Sequence, residues 1–179
     1  MCSVVFWLSN SSKYDSIHIQ SRFIEKVLQD KGIKVDWIFT DCIQFSSLPY
    51  VYRTIKRSSR IFLIYASFDP FIILFKCLKP LTLVFHNITP AKFFLYSNPL
   101  VSLRSFLGQV QLKYFFNKSL QVITVSHYNE SILKKYGYTS IDVCSPVVNK
   151  LNMIEQYKKT EKQSIVYVGR IVENKNTVQ

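Results

Sequence analysis

Residues 61–85 read IFLIYASFDPFIILFKCLKPLTLVF, and this stretch decides the fold class. It is apolar enough to suggest a membrane span, but five residues interrupt it: Asp69, Pro70, Lys76, Lys79 and Pro80. No uninterrupted apolar run approaches the ~20 residues that a transmembrane helix needs. The pattern instead predicts a strand at 61–65, a helix at 71–78 and a strand at 81–85.

The same alternation of short apolar runs and helical patterns extends along the chain. Further strands are predicted at 4–8, 33–39, 122–125 and 141–143. Further helices are predicted at 17–30, 48–57, about 100–117 and 129–136, the last between Ser126 as N-cap and Gly137 as stop. Strands that alternate with helices, and that are almost continuously apolar, predict a doubly wound α/β fold with a mostly parallel sheet.

The end of the chain predicts a second domain. Residues 149–163 are polar and rich in lysine, as expected of an interdomain linker, and residues 164–168 restart the strand pattern. We therefore assign 1–148 to an N-terminal Rossmann-like domain and 164–179 to the beginning of a C-terminal domain. On this interpretation the polypeptide is the front part of a two-domain enzyme.

Composition limits the partners of the protein. The chain has 23 Lys and Arg against 11 Asp and Glu, a formal charge of +12. Such an excess favours polyanionic partners, namely nucleic acid, anionic lipid headgroups or nucleotide phosphates, and does not choose among them. Four widely separated cysteines, near apolar runs and without a Cys-x-x-Cys pair, predict buried free thiols in a reducing cytosol. The first residues lack a basic leader, so we expect no signal peptide.

Polar groups follow four of the predicted strands, and they define a candidate cleft. They are Ser9-Asn10, Ala66-Ser67, His86-Asn87 and Ser126-His127. In open α/β sheets, ligands bind outside the carboxyl ends of the strands. Polar residues at strand ends are, however, equally expected of ordinary loops.

His86 is the strongest candidate for a reacting group. Its ring is expected to project into the cleft, where an imidazole can donate a hydrogen bond or exchange a proton near neutral pH. The alternative is a structural cap. His18 and His127 lie near predicted helix starts, and we expect both on the surface.

A phosphate-binding site in this chain would not use either of the two common glycine-rich loops. The sequence contains neither Gly-x-Gly-x-x-Gly nor Gly-x-x-x-x-Gly-Lys-Ser/Thr, which argues against NAD binding and P-loop NTPase activity. Arg170 and Lys175 follow an apolar run and could neutralise a diphosphate, or they could be ordinary solvated residues. Three isolated histidines predict no metal site. A hydrolase elbow, Gly-x-Ser-x-Gly, is also absent from the sequence.

Several segments, taken in order from about residue 60, resemble one family. They are 85–94 (FHNITPAKFF), 108–112 (GQVQL), 122–126 (VITVS), Gly137-Tyr138, Pro146, and 168–170 (VGR) with Lys175. Together they resemble glycosyltransferase family 4, whose members are GT-B enzymes with two Rossmann-like domains. The His-Asn-Ile-Thr-Pro block is most similar to transferases of bacterial surface-polysaccharide assembly (O-antigen, capsule or exopolysaccharide).

The resemblance implies a reaction and roles for residues. The family transfers a sugar from a nucleotide-sugar donor to an acceptor with retention of configuration, and its N-terminal domain mainly shapes the acceptor side. By resemblance, Arg170 and Lys175 would contact the donor diphosphate without a metal or other cofactor. His86 would contact the sugar near the reacting carbon, while Asn87 and Ser126, with Asn10 after the first strand, would line the cleft.

Three departures from the family limit what the resemblance implies. The glycine-rich first loop of the family is replaced by SNSSKYD at 9–15, and Asn176 stands where many members have glycine. The paired glutamates of the family, seven residues apart, have no counterpart in this sequence. Because most of the donor site is therefore missing, we expect little or no transferase activity from this polypeptide alone.

The basic surplus suggests a membrane partner. Arg104, Lys113 and Lys118 lie along an apolar helical stretch, and Arg53 to Arg60 holds a second basic cluster. Such a surface could rest on the anionic inner face of the cytoplasmic membrane, where a polyprenyl-linked glycan acceptor would be found. We expect a cytoplasmic protein, peripheral on that face, and an ordinary solvated basic surface is the alternative.

A function of another class remains open. The chain could be a non-catalytic Rossmann-like binding module for a polyanionic ligand. Nucleic acid is the less favoured ligand, because the basic residues are scattered and no recognised RNA- or DNA-binding motif occurs.

Overall fold

Six strands form one sheet in the computed structural model, which describes residues 2–11 and 16–146. The strands are β1 (Ser3–Leu8), β2 (Lys34–Phe39), β3 (Arg60–Tyr65), β4 (Leu81–Phe85), β5 (Gln121–Thr124) and β6 (Ile141–Val143). All neighbours pair in parallel, in the order β2-β1-β3-β4-β5-β6. The central strands β1, β3 and β4 are almost fully buried, which explains their continuous apolar sequences.

Five α-helices connect these strands. They are α1 (Ser16–Asp30), α2 (Leu48–Arg57), α3 (Ile72–Phe75), α4 (Pro99–Tyr114) and α5 (His127–Lys135). The predicted helices are confirmed, but α3 is shorter than the predicted 71–78. Turns at residues 76–78 replace the end of the predicted helix, and Pro80 disfavours helical backbone at Lys79, directly before β4. Short 3-10 helices lie at Thr40–Cys42, Phe45–Ser47 and Ala91–Phe94.

Both faces of the sheet carry a hydrophobic core. Alternate residues of β1 belong to different cores: Val5 and Trp7 pack with residues of α2, α3, α4 and α5, while Phe6 and Leu8 pack with residues of α1. Helices on both faces of a parallel sheet constitute a doubly wound, Rossmann-like arrangement, as the sequence predicted.

The orientation of α1 is unexpected. This helix buries His18, Ser21 and Glu25, packs Ile17 and Leu28 partly against the sheet, and leaves its other four apolar side chains exposed. Those exposed side chains are Ile19 (60%), Phe23 (38%), Ile24 (44%) and Val27 (41%). The apolar spacing therefore predicted the helix correctly but does not mark the side that faces the sheet.

Aromatic residues of the edge strand β2 explain this orientation. The ring of His18 stacks against Trp37 and Phe39, with centroids 5.3 and 5.8 Å apart. The Trp37 indole donates a hydrogen bond to Glu25 over 2.7 Å, and the Arg22 guanidinium lies 4.3 Å from the Trp37 ring centroid. The prediction that His18 lies on the surface is therefore wrong, since only 5% of its surface is exposed.

The prediction of buried cysteines is also wrong. Cys2, Cys42, Cys77 and Cys144 are all free and exposed. They lie next to apolar runs but at the ends of secondary-structure elements, where the chain leaves the core.

The apolar stretch 61–85 forms β3, α3 and β4, as predicted. Within residues 2–11 and 16–146, no helix has both the length and the apolar character that crossing a bilayer requires. The predicted linker and second domain, 149–179, lie outside the described residues.

Candidate functional site

The strand order identifies one preferred position along the carboxyl edge of the sheet. From β1 the chain passes to β2 on one side and then to β3 on the other side of β1. In open α/β sheets the ligand crevice lies at such a reversal, outside the carboxyl ends of the two strands. Here the reversal lies between β1 and β3, so Ser9, Asn10 and Ser67 occupy the favoured position.

A groove of about 420 Å³ opens there, between the ends of β1, β2 and β3 and the helix α4. We call it the switch-point groove. Its polar lining residues are Ser9, Thr40, Asp41, Ser67 and Arg104. Its apolar lining residues are Phe68, Pro70, Phe71, Leu100, Leu103 and Leu107. The volume lies within the range of ligand pockets, and the lining combines hydrogen-bonding groups with an apolar wall from α4.

Asp41 provides an ionised carboxylate at this groove. Partial desolvation alone would raise its pKa, but hydrogen bonds outweigh that effect and hold the pKa below its usual value. The Ser11 backbone N–H and hydroxyl donate these bonds to Oδ2 over 3.0 and 2.8 Å. Asp41 can therefore accept hydrogen bonds from hydroxyl groups of a ligand at neutral pH.

A buried carboxylate lies behind the groove and holds its loop in place. Asp69 is 1% exposed, and its Oδ1 accepts the backbone N–H groups of Phe71 and Ile72 over 3.0 Å each. Its Oδ2 accepts the Trp7 indole N–H over 2.6 Å and the Thr40 hydroxyl. These bonds connect the carboxyl ends of β1 and β2 with the loop that follows β3.

Gln111 joins the same loop to α4. Its Oε1 accepts the Asp69 backbone N–H over 3.0 Å and the Tyr65 hydroxyl over 2.7 Å, and its amide group donates to the Asp69 carbonyl over 2.6 Å. Gly108 permits the close approach, because a Cβ at this position would lie 2.9 Å from the Phe68 backbone nitrogen. Buried, satisfied networks of this kind rigidify their surroundings, so they hold the loop after β3 against α4 at the border of the groove.

Asn10 lies in a second, smaller space at the same strand reversal. A cavity of about 30 Å³ is lined by Ser9, Asn10, His18 and Ala66, with Leu8, Ile17 and Ile64. This space is large enough for about one water molecule. The structure therefore places the predicted residue Asn10 beside His18, which sequence reasoning had assigned to the surface.

The residues after β4 occupy a different part of the edge. Asn87 lines a cavity of about 220 Å³ between the end of β4, α4 and α5, together with Gln109, Tyr128 and Lys135. His86 is partly buried, and its backbone N–H donates to the Tyr65 carbonyl over 2.9 Å. Since β3 separates β1 from β4, Asn10 and Asn87 follow strands about 10 Å apart and line separate cavities.

Ser126 has a clear structural role. Its side-chain oxygen accepts the Asn129 backbone N–H over 3.2 Å and so caps α5, as the sequence predicted. His127, beside it, is exposed and pairs with Glu130 over 2.9 Å. The predicted donor-phosphate residues Arg170 and Lys175 lie outside the described residues.

Sequence reasoning missed Asp41, Arg104 and the network beneath the groove. Asp41 could have been found by the strand-end rule, because it is the second residue after β2. Arg104 lies in the middle of a helix, and only the packing of α4 brings it to the groove. In the part of the chain that the structure describes, no group of His, Cys, Asp and Glu side chains could hold a metal ion.

Comparison with known proteins adds no identification. No protein-family model matches the sequence, and no curated protein matches it. The resemblance to glycosyltransferase family 4 therefore remains a prediction from the quoted segments, and the groove geometry is independent of it.

Proposed function

We propose that this chain provides the acceptor-binding part of a retaining glycosyltransferase. The enzyme would transfer a sugar from a nucleotide-sugar donor to a lipid-linked glycan during assembly of a bacterial surface polysaccharide. The observation that carries the proposal is the switch-point groove, in which polar groups and an apolar wall face one space. The Rossmann-like sheet and the segments that resemble glycosyltransferase family 4 support it.

The groove offers a partner for each chemical part of such an acceptor. Asp41, with the hydroxyls of Ser9 and Ser67, suits the hydroxyl groups of a sugar. The Arg104 guanidinium suits a phosphate or diphosphate, which it can bind through two parallel hydrogen bonds. The leucine side chains of α4 suit the polyprenyl chain.

The donor side of the proposal depends on the resemblance. Arg170 and Lys175 would neutralise the diphosphate of the leaving nucleotide, which removes the need for a metal ion. His86 would contact the transferred sugar, and Asn10, Asn87 and Ser126 would border the cleft. The proposal locates the protein in the cytoplasm at the inner membrane face, where nucleotide sugars and polyprenyl-linked acceptors meet.

Titration of a short-chain polyprenyl-diphosphate-linked sugar tests the acceptor site. The probe would be used below its critical micelle concentration, and heat of binding would be measured. We expect saturable binding, and a loss of affinity of about tenfold for Asp41→Asn and for Arg104→Gln, because each removes one charged hydrogen-bond partner. Lys135→Gln is the control, since Lys135 lines the cavity at Asn87 instead. Absence of saturable binding, or equal affinity of all variants, would contradict the proposal.

The alternative function is a non-catalytic Rossmann-like module for a polyanionic ligand, suggested by the net charge of +12. The same titration separates the two functions when inorganic polyphosphate replaces the lipid-linked sugar. Tighter binding of polyphosphate, unaffected by Asp41→Asn, would favour the module.

A further inference from the structure

The helix α4 packs against the domain with its small and polar side. Its buried residues include Ser102, Ser105, Gly108 and Gln111. The opposite side exposes Leu103 (53%), Phe106 (54%) and Tyr114 (67%). With 100° of rotation per residue, these three side chains project from one face of the helix. The helix is therefore amphipathic in the reverse sense, with an apolar face turned to solvent.

The 3-10 helix Ala91–Phe94 and the residues after it extend this apolar surface. Phe93, Leu95 and Tyr96 are 44%, 54% and 95% exposed. This segment is attached to α4, because the Ser102 hydroxyl donates to the Ala91 carbonyl and the Asn98 N–H donates to the Phe94 carbonyl, each over 2.9 Å. We call the exposed face the α4 surface, and its apolar members are Phe93, Leu95, Tyr96, Leu103, Phe106 and Tyr114.

The chain segment that forms the α4 surface carries charge of a single sign, although Asp41, from outside this segment, lines the switch-point groove together with Leu103 and Arg104. Residues 70–129 contain six Lys and Arg and no Asp or Glu. The Lys92 Nζ lies 5.3 Å from the Phe93 ring centroid, and the Lys113 Nζ lies 5.0 Å from the Tyr114 ring centroid. Arg104 is exposed on the same helix. Cations therefore stand directly beside the exposed rings.

We propose that the α4 surface docks on an anionic lipid bilayer. A bilayer supplies both features that the surface lacks, an apolar phase for the aromatic and leucine side chains and negative charge for Lys92 and Lys113. A second copy of the chain does not supply the negative charge, because two α4 surfaces in contact would bring two sets of cations together, and residues 70–129 contain no carboxylate to pair with them.

A second apolar stripe shows why charge matters to this assignment. On α1, Phe23 and Ile24 are about as exposed as Phe93, yet their surroundings carry both signs of charge. Arg22 pairs with Glu25 over 2.7 Å, and Asp30 ends the helix. The α1 stripe therefore lacks the complementarity to an anionic surface, and it provides a matched control on the same protein.

Vesicle flotation with the 179-residue protein tests the docking surface without any sugar ligand. The vesicles would contain phosphatidylcholine alone, or phosphatidylcholine with about 30% phosphatidylglycerol. We expect binding to the anionic vesicles that weakens in high salt. Each neutralised lysine should lower the partition coefficient about fivefold, so Lys92→Gln with Lys113→Gln should lower it about 25-fold. Phe93→Ser with Phe106→Ser should lower it at least as much, because the apolar anchor is lost.

Matched substitutions on α1 serve as controls. Phe23→Ser with Ile24→Ser, and Lys26→Gln with Lys31→Gln, should bind anionic vesicles like the unmodified protein. Circular dichroism would show that every variant keeps its fold.

Three results would overturn the proposal: no partition to anionic vesicles, equal partition to neutral vesicles, or equal losses for the α1 and α4 variants. A dimer that Phe106→Ser dissociates, without vesicle binding, would assign the surface to a second copy instead. Since none of the substituted residues Lys92, Phe93, Phe106 and Lys113 lines the switch-point groove, this test and the acceptor titration can fail independently.

Discussion

The indole nitrogen of Trp7 donates a hydrogen bond to the carboxylate of Asp69 over 2.6 Å, although 62 residues separate the two in the chain. Both residues are at most 1% exposed. The bond joins the end of β1 to the loop after β3, the two segments that border the switch-point groove. The geometry of the groove depends on this buried connection. Substitutions in the connection should therefore change the free energy of unfolding.

Replacing Asp69 with asparagine should destabilise the fold by about 2 kcal/mol. Both carboxylate oxygens accept N–H groups, so the asparagine NH2 must face a donor whichever way the amide is turned. Urea unfolding would measure the change. Asp41→Asn, at the exposed edge of the groove, is the control and should change stability by no more than about 0.5 kcal/mol. Equal stability of Asp69→Asn and the unmodified protein would contradict the described network.

The stability that Asp69 contributes should also depend on pH. Burial raises its pKa above the usual 3.8, and the hydrogen bonds from Thr40, Ile72, Trp7 and Phe71 offset this effect only in part. The folded state therefore holds the proton more tightly than the unfolded state, so the contribution is greatest in acid and is lost as pH rises through the raised pKa. Relative to Asp69→Asn, which does not titrate there, the protein should lose free energy of unfolding as pH rises above 3.8.

Urea titrations of both proteins from about pH 4 to about pH 8 would measure this difference. A difference that stays constant, or that grows with pH, would show that Asp69 is not held with a raised pKa.

Replacing Gly108 with alanine should destabilise the protein by about 1 kcal/mol. The new Cβ would lie 2.9 Å from the Phe68 nitrogen and 3.3 Å from the Ser67 carbonyl carbon, and these backbone atoms must shift. Such overpacking costs about 1–3 kcal/mol, which exceeds the ~0.9 kcal/mol that alanine gains over glycine in a helix. Thermal unfolding would measure the net effect, with Gln109→Ala as the control. If Gly108→Ala proved more stable, α4 would not approach the loop so closely.

Serine substitutions at Phe23 and Ile24 should change the free energy of unfolding by no more than about 0.5 kcal/mol each. Both side chains are exposed on α1, at 38% and 44%. Leu133→Ala, at a fully buried position of α5, should cost about 2–5 kcal/mol and serves as the comparison. Chemical denaturation would measure all three. A loss near 2 kcal/mol at Phe23 would mean that α1 turns its apolar side to the sheet.

Local patterns were enough to predict the elements of the fold. The bounds of α2, β4 and β6 agree with the sequence prediction at every residue, because apolar periodicity and the restriction that Pro80 imposes act over a few residues. They were not enough to orient α1 or α4. Which side of a helix is buried depends on the partner it meets, and Trp37 and Phe39 offer α1 an aromatic surface that suits His18.

The sequence by itself determined the parallel α/β class, because buried parallel strands need continuous apolar runs. It also determined the polar residues at the carboxyl edge, because these residues come directly after the apolar runs in the chain. Only the tertiary structure decided that β1 and β3 are neighbours at the strand reversal. It also decided that Arg104 and Asp41 line one groove and that Asp69, Trp7 and Gln111 share one buried network. These relationships join residues tens of positions apart, and they arise from the packing of whole elements, which no local pattern encodes.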